Sequence, residues 1–187
     1  AGATRQWGWN SEGQLGLQDT TDRLAANLLT LLDGLVIVDL SIGAVHTLAL
    51  DIDGFVYSWG GNEYGQLGLG DTKSRDTPTR VRRLSPGRLA TLKGVDEETS
   101  TIKVVGVVAG EYSSFAIVDL GADPEDATTH LGHEVYGFGD NQNAQVGCIS
   151  PTQTEVLCPS FPLPPGAAID PKKLLSPYLV AAFRRGG

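Results

Sequence analysis

One short phrase is written three times along this chain, and a chain that repeats itself has few folds open to it. The fullest copy is Ser58-Trp59-Gly60-Gly61-Asn62-Glu63-Tyr64-Gly65-Gln66-Leu67-Gly68. An earlier copy runs from Trp7 through Gly8, Asn10, Gln14 and Leu15 to Gly16, and a weaker third from Phe138 through Gly139, Asn141, Gln145 and Val146 to Gly147. The aromatic, the glycine behind it, the asparagine, the glutamine and the closing glycine keep fixed offsets. The aromatics lie 52 and then 79 residues apart, so the second interval holds insertions. A period of about fifty residues marks an array of one supersecondary unit, each copy burying a face against the next.

Each position in the phrase has a physical reason. Trp7, Trp59 and Phe138 supply the apolar area that a small unit buries against its neighbour. The glycines allow the chain to reverse, and Asn10, Asn62 and Asn141 tie the reversal through bonds to nearby backbone. Leu15, Leu67 and Val146 are expected as small apolar plugs.

Strand patterns feed the phrase. Val36 to Ile42, a turn at Gly43-Ala44-Val45, and His46 to Leu50 lead to the hairpin signal Asp53-Gly54 and a strand from Phe55 to Trp59. The order returns as Val104 to Ala109, Ser114 to Val118 and Glu134 to Phe138. This predicts an all-β protein of four-stranded antiparallel meanders, the blades of a β-propeller, with about three blades and loop insertions. The divisions are a repeat tail (1–34), a repeat (35–81), an inserted surface loop (82–101), a degenerate repeat (102–150) with an insert at 121–132, a proline-rich linker (151–177) and the start of another repeat (178–187). Thr20 to Leu32 reads as a short apolar helix or an irregular connection, because Leu24, Leu28, Leu31 and Leu32 fall at helical spacing.

The combination Gly43-x-x-His46-Thr47-Leu48-Ala49-Leu50, Asp53-Gly54 and Ser58-Trp59-Gly60-x-Asn62-x-x-Gly65-Gln66-Leu67-Gly68-x-Gly70-Asp71, with Pro78 and Val81 closing the repeat, resembles the regulator of chromosome condensation repeat family. The resemblance implies a seven-bladed propeller, of which this chain supplies part, so the rest of a propeller or a larger assembly is expected against it. In the family's guanine-nucleotide exchange factor the Gly-x-x-His turns line one face and contact a small GTPase. This implies a partner contact at His46, with a purely structural bond to backbone between strands as the alternative, whereas the matching place in the next repeat is Ser113. The family's plant light sensor has a tryptophan in that turn, and Gly43-Ala44-Val45-His46-Thr47 does not.

Net charge is −8 over 187 residues, which argues against general affinity for nucleic acid. No apolar run reaches the length of a membrane span, and no charged-then-apolar leader is seen. The chain has no methionine. Its native start is therefore expected to be absent, and with it any address. An intracellular setting is favoured without a compartment being distinguished. Cys148 and Cys158 lack metal or redox spacing, and two free thiols are expected, with a disulfide as the alternative.

Against the acidic whole, Lys73, Arg75, Arg80, Arg82, Arg83, Arg88 and Lys93 face only Asp76 in their window. The window reads either as a solvated edge or as a contact for an acidic protein surface or a nucleic-acid backbone, with Arg80, Arg82, Arg83 and Arg88 as its candidates.

His130-x-x-His133-Glu134 lacks further ligands for a metal, and the glycines before Lys73 lack a phosphate-cradling ending. No nucleophile with a base can be assembled from motifs, so no catalytic residue, cofactor or metal is assigned. The expected function is a non-enzymatic scaffold for protein partners, with a GTPase exchange factor as the alternative.

Overall fold

The computed structural model describes residues 3–122, 130–143 and 146, together with the backbone of one further strand, 173–183. Cys148, Cys158, Gln145 and Gly147 lie outside the described residues, as does most of the proline-rich segment.

Three antiparallel sheets follow one another along the chain. The first pairs β1 (Arg5–Gly8) with β2 (Arg23–Leu28). The second orders β3 (Ile37–Ile42), β4 (His46–Asp51), β5 (Val56–Gly60) and β6 (Arg75–Arg80) as a simple meander. After helix α1 (Pro86–Lys93), the third sheet places β7 (Lys103–Ala109), β8 (Ser113–Asp119), β9 (His133–Asp140) and β10 (Lys173–Phe183) in the same order. His46 pairs with Gly60 as Ser113 pairs with Gly139, so the two four-stranded sheets share one register. These are the predicted blades.

Two apolar clusters sit between the sheets. Trp59, Ala49, Leu29 and Leu32 join the first sheet to the second. Leu48, Leu50, Val56 and Val81 meet Val104, Val107, Ala116, Val118 and Phe138 to join the second to the third. Trp59, Leu67, Phe138, Val146 and Leu15 are all buried as expected.

Trp7 is not: it is 62% exposed. Among the described residues its strand has a sheet partner on one edge only, and the burial expected for a motif aromatic needs an inner strand on the other.

Three further expectations are corrected. Thr20 to Leu32 contains strand β2 and a 3-10 turn at Thr30–Leu32 rather than an apolar helix. Leu24 and Leu31 are exposed while Leu29 and Leu32 are buried, so the leucines share no helical face. The segment expected as a surface loop holds a 3-10 turn (Arg82–Leu84) and α1, which send Leu84, Leu89 and Ala90 into the second core. Pro86 sits at the helix start, and Gly94 ends it at φ 71° with its N–H donating to Ala90 and Thr91 carbonyls, so residues read as breakers act as boundaries. Finally, Lys173–Phe183 does not open another repeat. It pairs with β9 and closes the third blade, the place that β6 takes in the second.

Candidate partner-binding surface

The turn after each motif aromatic is held by one asparagine. Asn62 Nδ2 donates to the Asp71 and Lys73 carbonyls at 3.0 Å, and its Oδ1 accepts from Leu67 N–H at 2.9 Å. Asn10 repeats this with Asp19, Thr21 and Leu15, and Asn141 Oδ1 accepts from Val146 N–H. Arg75 pairs with Asp71, as Arg23 does with Asp19. The backbone N–H of Lys73 also donates to Asp71 and the guanidinium lies beside it, so its carboxyl is held below the usual range against the opposing effect of burial.

The turn so fixed offers a main-chain carbonyl to the next blade. Gln14 O accepts from Thr47 Oγ1 at 2.9 Å and from Trp59 Nε1 at 2.8 Å. Gln66 O accepts from Ser114 Oγ at 2.7 Å. Because Ser114 gives its only proton to that carbonyl, the 2.8 Å contact with His46 Nε2 must have His46 as donor. Nδ1 is buried without a partner, where a second proton would go unbonded, so the imidazole is neutral with Nδ1 bare. Burial lowers the pKa of His46 to about 4.

His46, expected at a partner contact, has no exposed surface. Its observed task is internal, joining β4 to the following blade. Thr47 and Ser114, which complete that join, did not stand out in the sequence as functional positions. Their signal was the hydroxyl residue common to His46-Thr47 and Ser113-Ser114.

The basic window divides. Arg75 is spent on Asp71, and Lys93 at the end of α1 pairs with the buried carboxylate of Glu134, which also accepts from Tyr136 Oη at 2.8 Å. Arg80, Arg82 and Arg88 are exposed and Arg83 is half-buried. Arg80 stacks its guanidinium 3.4 Å from the centre of the Phe55 ring, a cation–π contact that leaves its charge in place. Arg80, Arg82 and Arg88 make no ion pair among the described residues. They follow one another across the outer strand, the 3-10 turn and the helix.

His130 has both ring nitrogens engaged, one with Asp119 at 2.9 Å and one accepting from Gly132 N–H. Among the described residues no group of three or more histidines, cysteines or carboxylates converges as a metal site. No helix among them is long and apolar enough to cross a membrane.

Two four-stranded meanders in one register, joined carbonyl to hydroxyl, define a propeller-blade repeat protein. The family model described as regulator of chromosome condensation (RCC1) repeat matches residues 6–50 and 53–117, and the chain belongs to that family. It is 45% identical over 80 residues to the ultraviolet-B receptor UVR8 of Arabidopsis thaliana, a match spanning 43% of this chain and 18% of the receptor. To the human probable E3 ubiquitin-protein ligase HERC3 it is 34% identical over 103 residues, spanning 54% of this chain and 10% of the ligase. Two structures of yeast Prp20 are similar to it with TM-scores of 0.60 and 0.58. One shows the protein with Kap60 bound, and the other is described with its binding to Gsp1p and histones. At 24% identity they share the fold, covering 98% and 96% of this chain and 35% and 34% of Prp20. The chain thus spans about a third or less of each of these relatives.

Proposed function

We propose that the chain is a non-enzymatic interaction scaffold whose outer rim, Arg80, Arg82, Arg83 and Arg88, receives an acidic protein surface. The observation that carries this reading is the division of the cations: Arg75 and Lys93 are consumed internally, while Arg80, Arg82 and Arg88 are left outward on one edge of a net-acidic molecule. Complementary fields of this kind steer association and set register more than they set affinity.

One hydroxyl–imidazole pair does exist, Ser114 with His46, and it argues for the scaffold. Both residues are fully buried, and the serine proton is committed to Gln66 O, so the pair lacks both substrate access and an available nucleophile. The likeness to HERC3 runs through the repeats over a tenth of its length, so its ligase name does not transfer to this chain.

The second reading, an exchange factor, draws on the likeness to Prp20 and its binding of Gsp1p. Exchange requires contacts that favour the nucleotide-free GTPase, and the burial of His46 removes the one turn residue that suggested them. The test is direct. Joint replacement of the four arginines by glutamine is expected to weaken capture of an acidic protein partner, with added salt doing the same to the native chain. The chain is expected to leave labelled-GDP release from small GTPases at its basal rate. Salt-independent capture, or accelerated release, overturns the scaffold reading.

A further inference from the structure

Thr77, Ser85, Ser150 and Ser176 each stand directly before a proline. Two of them carry arginine at the third place beyond, in Thr77-Pro78-Thr79-Arg80 and Ser85-Pro86-Gly87-Arg88, whereas Gln153 and Leu179 take that place after the others. A hydroxyl, a proline, any residue and then a cation is the charge pattern read by proline-directed serine/threonine kinases. Both arginines belong to the outward group on the rim.

The two copies differ in what surrounds the hydroxyl. Thr77 lies in β6, where its neighbour Asp76 is pressed against Gly13 of the preceding blade and accepts from Gln18 N–H. Ser85 stands between the 3-10 turn and α1, and its Oγ donates to Arg82 O at 2.9 Å on the surface. Its own backbone is already extended, at φ −65° and ψ 142°. What must open for a kinase to dock is the first turn of α1, where helices fray and Gly87 adds least to the helix.

That helix start has the wrong charge for its place. Ser85 is the N-cap, yet its hydroxyl turns back to Arg82 and caps nothing. The first turn holds no acidic residue, and its third position is Arg88, a cation at the positive end of the helix dipole. Among the described residues the amides of Gly87 and Arg88 find no acceptor. The Glu97 carboxylate lies against Gly87 but takes its bond from Thr91 Oγ1, farther along the helix. An N-cap side chain reaches the amides of the second and third positions, and the third side chain reaches back to it. A phosphate on Ser85 is therefore placed to accept from both amides and to pair with Arg88.

We propose that Ser85 is the phosphoacceptor of a proline-directed kinase, and that its phosphate, seated on the start of α1, opposes acidic partners at the arginine rim. In the transfer Ser85 Oγ attacks the γ-phosphorus of ATP, the bond to the β–γ bridging oxygen breaks, ADP leaves, and the hydroxyl proton passes to the kinase's catalytic base. The phosphate brings a charge of about −1.5 to −2 at neutral pH beside Arg80, Arg82, Arg83 and Arg88. Its effect on partners rests on the rim reading above, whereas the modification and its seat do not.

The experiment treats the native chain and the synthetic peptide Arg-Val-Arg-Arg-Leu-Ser-Pro-Gly-Arg with a cyclin-dependent kinase and ATP, and locates the phosphate by fragment mass spectrometry. The chain is expected to be modified at Ser85, and Pro86→Ala to slow this by about tenfold or more. The amide proton resonances of Gly87 and Arg88 are expected to move downfield on phosphorylation in the chain and to stay in the peptide, which has no helix. Capture by immobilised polyglutamate is expected to weaken by about tenfold or more once Ser85 is phosphorylated. Polyglutamate that ignores even the unmodified chain strikes the rim reading, and the site and the amide shifts then decide for or against Ser85. The proposal is overturned by a chain left unmodified while the peptide is phosphorylated, by phosphate on Thr77 in place of Ser85, by amides that do not move, or by capture that phosphorylation leaves undiminished.

Discussion

His46 Nε2 donates to Ser114 Oγ across 2.8 Å between two blades, and the serine passes its own proton on to Gln66 O. The chain of donors works in one direction only, with the imidazole neutral. A second proton would have to sit on Nδ1, which is buried and unpartnered.

A pH dependence follows, and its sign can be worked out. Burial holds the folded-state pKa of His46 near 4, below the ordinary 6.5, so the unfolded chain takes up a proton first as pH falls. The contribution is complete above 6.5, declines between 6.5 and about 4, and is lost below that. The full shift corresponds to on the order of 3 kcal/mol. Urea midpoints of the native chain and His46→Gln, measured from pH 7 to pH 4, are expected to converge as pH drops. A gap that stays constant would show that His46 does not titrate across this window.

Trp59 and Trp7 occupy one motif position in two environments, fully buried and 62% exposed. Trp59→Ala is expected to cost about 3–5 kcal/mol, the range for buried aromatics, with the indole bond to Gln14 O lost as well. Trp7→Ala should stay within about 0.5 kcal/mol in the chain alone. Denaturant unfolding of both variants checks the contrast, and equal losses would refute it.

The glycines provide a cleaner pair. Gly8 and Gly60 both have strongly positive φ, 114° and 103°, so alanine meets a similar backbone penalty at each. Only at Gly60 does the methyl also collide with backbone. Gly60→Ala is therefore expected to be more destabilising than Gly8→Ala by about 1–3 kcal/mol. Comparable unfolding midpoints would mean that β4 yields easily at this point.

Lys93 and Arg88 lie on one helix with different roles. Lys93→Gln leaves the Glu134 carboxylate, 7% exposed, without its cation, and a loss of about 1–3 kcal/mol is expected. Arg88→Gln is expected to leave stability unchanged within about 0.5 kcal/mol and to act only on association. Thermal unfolding alongside a binding titration separates the two. A stability loss at Arg88 would move it out of the proposed rim.

Blade order and register were legible because Trp59-Gly60 and Phe138-Gly139 fall at the same place after the same strand pattern. The arginines were legible as a charge cluster, but composition could not divide Arg75 and Lys93, which have internal partners, from those left outward. Helix α1 was hidden by Pro86, Gly87 and Gly94, whose effect depends on whether they stand inside or at the end of an element. β2 was masked by leucines at helical spacing that face different ways once the strand pairs with β1. His46 stayed open between a partner contact and an internal bond for a different reason: a turn residue that lines a surface in one member can be sealed between blades in another.

The blade-to-blade join uses the peptide carbonyl of Gln14 or Gln66, while the side chain of the same glutamine accepts from an N–H of its own turn, that of Glu12 or Tyr64. What one blade requires of its successor is then a hydroxyl at the Thr47 or Ser114 position and an aromatic at the Trp59 or Phe138 position. Such a coupling is generic, like a standard thread: blades can be duplicated, reordered or lengthened at their outer strands while the pitch of the array stays fixed, and novelty collects at the rim.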